Sequence, residues 1–180
     1  MRDPLPPGWR IVVWPLTALA FVGAAFLIRQ WTLSTTVAPR GLLDLEFAST
    51  QARVNQIVAA WDFKQARAEA IQVTYLDILF IIFYSTSLSL SSAAAADALQ
   101  IRHWPLARVG RVLSWAQSGT VGFGGGENVG MLWQLYRAPA VAGPWARITV
   151  MCAVVKWALA LVGALYSLYG AIAWITSPRG

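Results

Sequence analysis

Cysteine, histidine and charge are what this sequence has least of. Among 180 residues there is one cysteine, Cys152, and one histidine, His103. A lone thiol excludes an internal disulfide and a cysteine-built metal site. A lone imidazole excludes a haem held by two histidines of one chain. The serines of "SLSLSS" have no histidine near them, so no nucleophile and base constellation is visible. No catalytic residue, metal or cofactor is therefore expected, and catalysis is the least supported class of function.

Charged residues make up 12% of the chain and apolar ones 57%, where soluble domains hold about 25% charged residues. That balance points to a membrane. A helix crossing a bilayer core of roughly 30 Å needs about 20 mostly apolar residues. Windows at about 11–30, 72–96 and 149–174 meet this requirement. A fourth, 112–136, is less apolar but of the right length and bounded by Arg111 and Arg137. The first window follows Arg2 and Arg10 as a signal peptide would, but its apolar run is long for one. The expected fold is all-α, an integral membrane four-helix bundle formed by one domain over residues 1–180.

Between the first two spans, about 44–61, the apolar residues Phe47, Val54, Ile57, Val58 and Trp61 recur at helical spacing. They predict an amphipathic helix lying on the membrane surface or on the bundle. In "DFKQ", Asp62 and Gln65 stand in a capping-box arrangement, which predicts a new helix starting near Phe63. No Pro or Gly interrupts the chain from there to Ala96, so that helix is expected to run unbroken through the second span.

The net charge is +6, but the arginines are scattered at helix ends rather than gathered in one stripe. This argues for anchoring at anionic headgroups and against nucleic acid. Arg102, Arg108 and Arg111 crowd the loop after the second span. The positive-inside tendency assigns that loop and both termini to the cytoplasm. Trp9, Trp104 and Trp174 fall at the inner boundary, and Trp31, Trp133 and Trp145 at the outer one.

The stretch "VGFGGGENVG", residues 121–130, has the look of a phosphate loop. A dinucleotide loop needs glycine where Glu127 stands, and a P-loop needs a following lysine that is absent. What fits is a stripe of small residues, Ser118, Gly122, Gly126 and Gly130, at intervals of four. It suits close helix packing inside the bundle, or a seam with a second copy or a membrane partner. Gly124 and Gly125 lie off the stripe and are expected to weaken the helix locally.

Counting from the outer boundary, Glu127 lies ten residues before Arg137, Lys156 nine after Arg147 and Asp77 ten after Arg67. Three spans thus place an ionisable group at one depth, with Asn128 beside it. Such residues cost about 2.5–3.5 kcal/mol each when facing lipid, so they are expected to face inward and pair. Lys156 neutralises one carboxylate. The other requires a proton, an arginine such as Arg40 or Arg53, or a bound cation or amine. Asp44, Glu46 and Arg40 of the outer segment form a candidate lid. The layer reads either as a buried ion pair fixing helix register or as a ligand or proton site.

With "LDLEFA" at 43–48, Asp77 in "YLDILF", the Glu127 and Asn128 pair and Lys156, the chain resembles small bacterial four-helix integral membrane proteins of unassigned function. The resemblance covers most of the chain and implies a shared fold and polar layer, with no assigned activity. The family pattern has an aspartate three residues before the Glu-Asn pair, where this chain has Gly124, so the implied site here lacks one carboxylate. Two functions of different class follow. One is a non-catalytic accessory or scaffolding subunit that docks a membrane partner or a second copy. The other is a binding or transport protein for a cation, proton or amphiphile at Asp77, Glu127 and Lys156.

Overall fold

The computed structural model describes Gly23 and residues 32–139 and 143–176. These residues form five helices and no strand: α1 (Leu42–Glu46), α2 (Gln51–Phe63), α3 (Arg67–Ile101), α4 (Ala107–Arg137) and α5 (Trp145–Thr176). α3 and α5 are long and apolar enough to cross a membrane. α4 is 31 residues long, but its glycines, glutamines and Glu-Asn pair leave it less apolar than either. The first apolar window lies outside the described residues except for Gly23, which is helical and lies against Phe80 of α3.

The expected start near Phe63 is corrected: Asp62 and Phe63 close α2, and α3 begins at Arg67. The Ala66 amide donates to the Trp61 carbonyl at 2.8 Å and the Gln65 amide to Asp62 at 3.0 Å. Gln65 itself is left-handed, with φ 57°. These are the bonds of a Schellman termination, which turns the chain before a new helix can begin. Asp62 pairs with Arg67 instead of capping an amide. A glycine at position 65 would avoid the steric cost of that conformation, about 1–2 kcal/mol for a residue with a Cβ. Gln65→Gly is expected to stabilise the protein by about 1 kcal/mol, read as a higher melting temperature in detergent.

The same termination ends α3. The Trp104 amide donates to Leu99 at 2.9 Å, the His103 amide donates to Gln100 at 3.3 Å, and His103 has φ 55°. The only histidine of the chain is thus an exposed helix-stop residue.

The amphipathic segment is two helices rather than one. Thr50 caps α2 by accepting the Arg53 amide, which breaks the chain after Glu46. The apolar face of α2 does not lie on lipid. Val54, Ile57, Val58 and Trp61 are buried with Leu33, Leu42 and Leu45 against Ala70 and Val73 of α3 and Met131 and Leu135 of α4. The Trp61 indole donates to the Leu33 carbonyl at 2.7 Å, and Arg67 reaches the Leu135 and Ala138 carbonyls at 3.3 Å each. Burying a side chain of this kind contributes about 1.5–3 kcal/mol, so these contacts hold the segment to the ends of α3 and α4.

The chain forms two compact units, one of Val22–Ile81 with Gly122–Lys156 and one of Met1–Phe21, Ile82–Val121 and Trp157–Gly180. In the latter, small residues bring helices together. Gly170 of α5 lies against Ala95 of α3, and Gly110 of α4 against Ala96 and Tyr166. Gln117 of α4 packs on Gly163 and donates to the Leu159 carbonyl at 2.9 Å. The alanines after "SLSLSS" supply the α3 side of these contacts.

Candidate functional site

Every residue of the acid and base layer belongs to the unit of Val22–Ile81 and Gly122–Lys156. Thr120, Glu127 and Gln134 recur every seven residues on α4, about two turns apart, so they share one face. All three are fully buried, as are Gln117 and Asn128. The exposed residues of the same helix include Trp115, Val112, Val129 and Tyr136. α4 therefore buries a row of polar side chains and exposes several large apolar ones.

The Lys156 ammonium lies 2.8 Å from each oxygen of the Glu127 carboxylate and 3.0 Å from Oε1 of Glu46. One lysine on α5 thus bridges α4 and α1. Beside it, the Asn128 amide donates to Asp77 Oδ2 of α3 at 3.0 Å. Glu46, Asp77, Glu127, Asn128 and Lys156 are each at most 8% exposed. Four helices meet here through charged or amide side chains. Asn128 Oδ1 is buried without a hydrogen-bond partner.

The layer anticipated from helical counting is brought together, with Glu46 rather than Asp77 as the second acid bonded to the lysine. Of the candidate lid, only Glu46 enters. Asp44 instead accepts the Arg40 backbone amide at 2.6 Å, and the Arg40 side chain is exposed. Arg53 donates to the Val37 carbonyl, so neither arginine proposed as a counter-charge is directed to a layer carboxylate by these bonds. The signal for Glu46 was local: it sits four residues after Leu42 and one after Leu45, on the apolar face of α1. A second polar link was also missed. The Gln134 amide donates to Thr149 Oγ1 at 2.9 Å and to the Gly130 carbonyl at 3.0 Å, tying α4 to α5 again.

The small-residue stripe is not one surface. A repeat of four residues turns by about 40° per step on a helix of 3.6 residues per turn, so Ser118 and Gly130 point about 120° apart. Gly130 packs on Thr149, and a Cβ on Gly126 would lie 3.3 Å from the Cys152 sulfur. Gly122 meets nothing within 4 Å, and Ser118 is exposed. Gly124 is tight against Ile81, where a Cβ would fall 2.6 Å from a methyl group. The helix is continuous through Gly124 and Gly125, so the glycines do not unwind a turn, and Gly124 serves close packing.

Among the described residues no group of three or more His, Cys, Asp or Glu side chains is placed to hold a metal ion. Compared with known proteins, the chain matches no family model, no curated protein and no solved structure.

Proposed function

We propose that this chain is a small, non-catalytic integral membrane protein whose buried acid and base layer is a structural clasp, and whose α4 docks a membrane partner as an accessory or scaffolding subunit. The reading takes it as a four-helix bundle of the bacterial inner membrane, with both termini cytoplasmic. This is also the fold implied by the resemblance noted above. Support for α4 as a span comes from its inverted pattern, since Gln117, Glu127 and Asn128 are buried while Trp115 is 81% exposed. A helix with that pattern suits lipid outside and polar pairing within.

The observation that carries the functional reading is the Lys156 bridge. Its ammonium is committed to Glu127 and Glu46 in a site almost closed to solvent. Such a cluster resists entry of a ligand and suits the holding of α1 on α4 and α5. The face offered to a partner is Ser118, Gly122 and Gly125, where added Cβ atoms at both glycines meet nothing within 4 Å among the described residues. Small residues in a membrane helix allow the close backbone approach that drives association there.

Gentle solubilisation followed by mass spectrometry of co-purifying protein and lipid tests this. A stoichiometric partner is expected with the natural chain and is expected to be lost, with fold retained, in Gly122→Leu. Recovery of the chain alone would overturn the reading. One observation favours a binding or transport role instead: Asp77 meets an amide rather than the ammonium, and Asn128 Oδ1 beside it lacks a hydrogen-bond partner. On that second reading a cation, proton or amphiphilic amine is held at Asp77, and a bound small molecule replaces the partner in the same measurement.

A further inference from the structure

The loop between α3 and α4 is fastened to α5 at three points. Tyr166 of α5 donates its hydroxyl to the Leu106 carbonyl at 3.0 Å. Trp104 packs on Tyr169 with ring centroids 5.5 Å apart. The Arg102 guanidinium stands 4.6 Å above the Trp174 ring. A cation over an indole is an attractive contact that holds the arginine in place, so Arg102 belongs to the fastening.

Arg108 and Arg111 differ from it. Both are exposed on the first turns of α4, with no ion pair or hydrogen-bonded side-chain partner among the described residues. No acidic residue occurs in the sequence between Asp97 and Glu127. The two guanidiniums therefore sit on a fixed platform where positive charge predominates, Asp97 near the end of α3 being the one acidic side chain among the described residues of this unit. Trp104 and Trp174, whose amphipathic rings favour the boundary between hydrocarbon and water, mark the depth of that platform.

We propose that Arg108 and Arg111 form a binding site for the phosphate of an anionic phospholipid headgroup, on a platform held by Arg102, Trp104, Tyr166 and Trp174. This rests on the reading of the chain as membrane-spanning, which places the loop at headgroup level. Guanidinium forks match phosphate oxygens in geometry and charge. Juxtamembrane arginines contribute roughly fivefold each to the affinity for an anionic surface, or about 25-fold for two.

The test uses the full chain in nanodiscs of phosphatidylcholine with a minority of phosphatidylglycerol, then release into detergent and native mass spectrometry of retained lipid. The natural chain is expected to keep phosphatidylglycerol in preference to phosphatidylcholine. Arg108→Ala with Arg111→Ala is expected to lower that preference about 25-fold, while Arg147→Ala, at an exposed arginine of the other unit, leaves it unchanged. Equal retention by the double variant and the natural chain overturns the proposal. So does displacement of the lipid by excess inorganic phosphate, which would assign the site to a soluble anion. Alkaline carbonate washing of native membranes is read separately. Release of the chain there would overturn the membrane reading itself, whatever the lipid result.

Discussion

Lys156→Met is expected to lose about 3–5 kcal/mol of stability, enough to remove most of the folded protein, because it strands buried carboxylates that an ammonium had neutralised. Glu127 is fully buried and Glu46 nearly so, so neither has ready access to water once its partner is gone. The measurement is the yield of monodisperse protein after detergent extraction, with its melting temperature. The companion variant gives the result its meaning. Combining Lys156→Met with Glu46→Gln and Glu127→Gln removes the charges together while keeping size and most hydrogen-bonding capacity. Replacement of a whole buried ion cluster by neutral groups is often tolerated, unlike removal of one member. The triple variant is therefore expected to recover most of the folded yield. If Lys156→Met alone folds and melts like the natural chain, the clasp is not what holds α1 to α4 and α5.

Gly170→Leu is expected to be the most damaging apolar substitution, costing about 3 kcal/mol or more through overpacking. A Cβ on Gly170 would approach the Ala95 Cα to 2.6 Å, and a backbone atom within a long helix has no rotamer by which to yield. The helices would have to separate, and the core of Leu99, Tyr166 and Ala173 around this contact would open with them. Gly125→Ala is the control, since an added Cβ there meets nothing within 4 Å. Replacing a glycine inside a helix by alanine relieves up to about 1 kcal/mol of unfavourable propensity, so this variant is expected to melt at or above the natural temperature. Thermal unfolding of the two in one detergent distinguishes them, and similar melting temperatures would mean that α3 and α5 do not approach closely at Ala95.

Much of the helical layout was legible because it depends on local periodicity and composition. The apolar runs of α3 and α5, the helical spacing of Val54, Ile57, Val58 and Trp61, and the position of Glu127 relative to Lys156 all follow from counting along helices. The boundaries at Phe63 and Ile101 were not legible in this way. Both are made by left-handed residues with side chains, Gln65 and His103, where composition favours neither a stop nor a glycine. Asp62 illustrates the same limit, since a capping box and a Schellman termination compete for one short stretch and backbone bonds to Trp61 and Asp62 decide between them.

The sequence by itself determined that a few ionisable groups lie within apolar helices and must therefore turn inward and pair, because lipid and protein interior alike penalise an isolated charge. Only the tertiary structure decided which groups meet. It brought Glu46 to Lys156 at 3.0 Å, left Asp77 to Asn128, and turned Arg40 and Asp44 to the loop. It also divided the small-residue stripe, with Gly126 and Gly130 against α5 and Gly122 against none of the described residues. Helical periodicity orients side chains around one axis, whereas partners depend on how separate axes are rotated against one another, and the packing of distant parts of the chain sets those rotations.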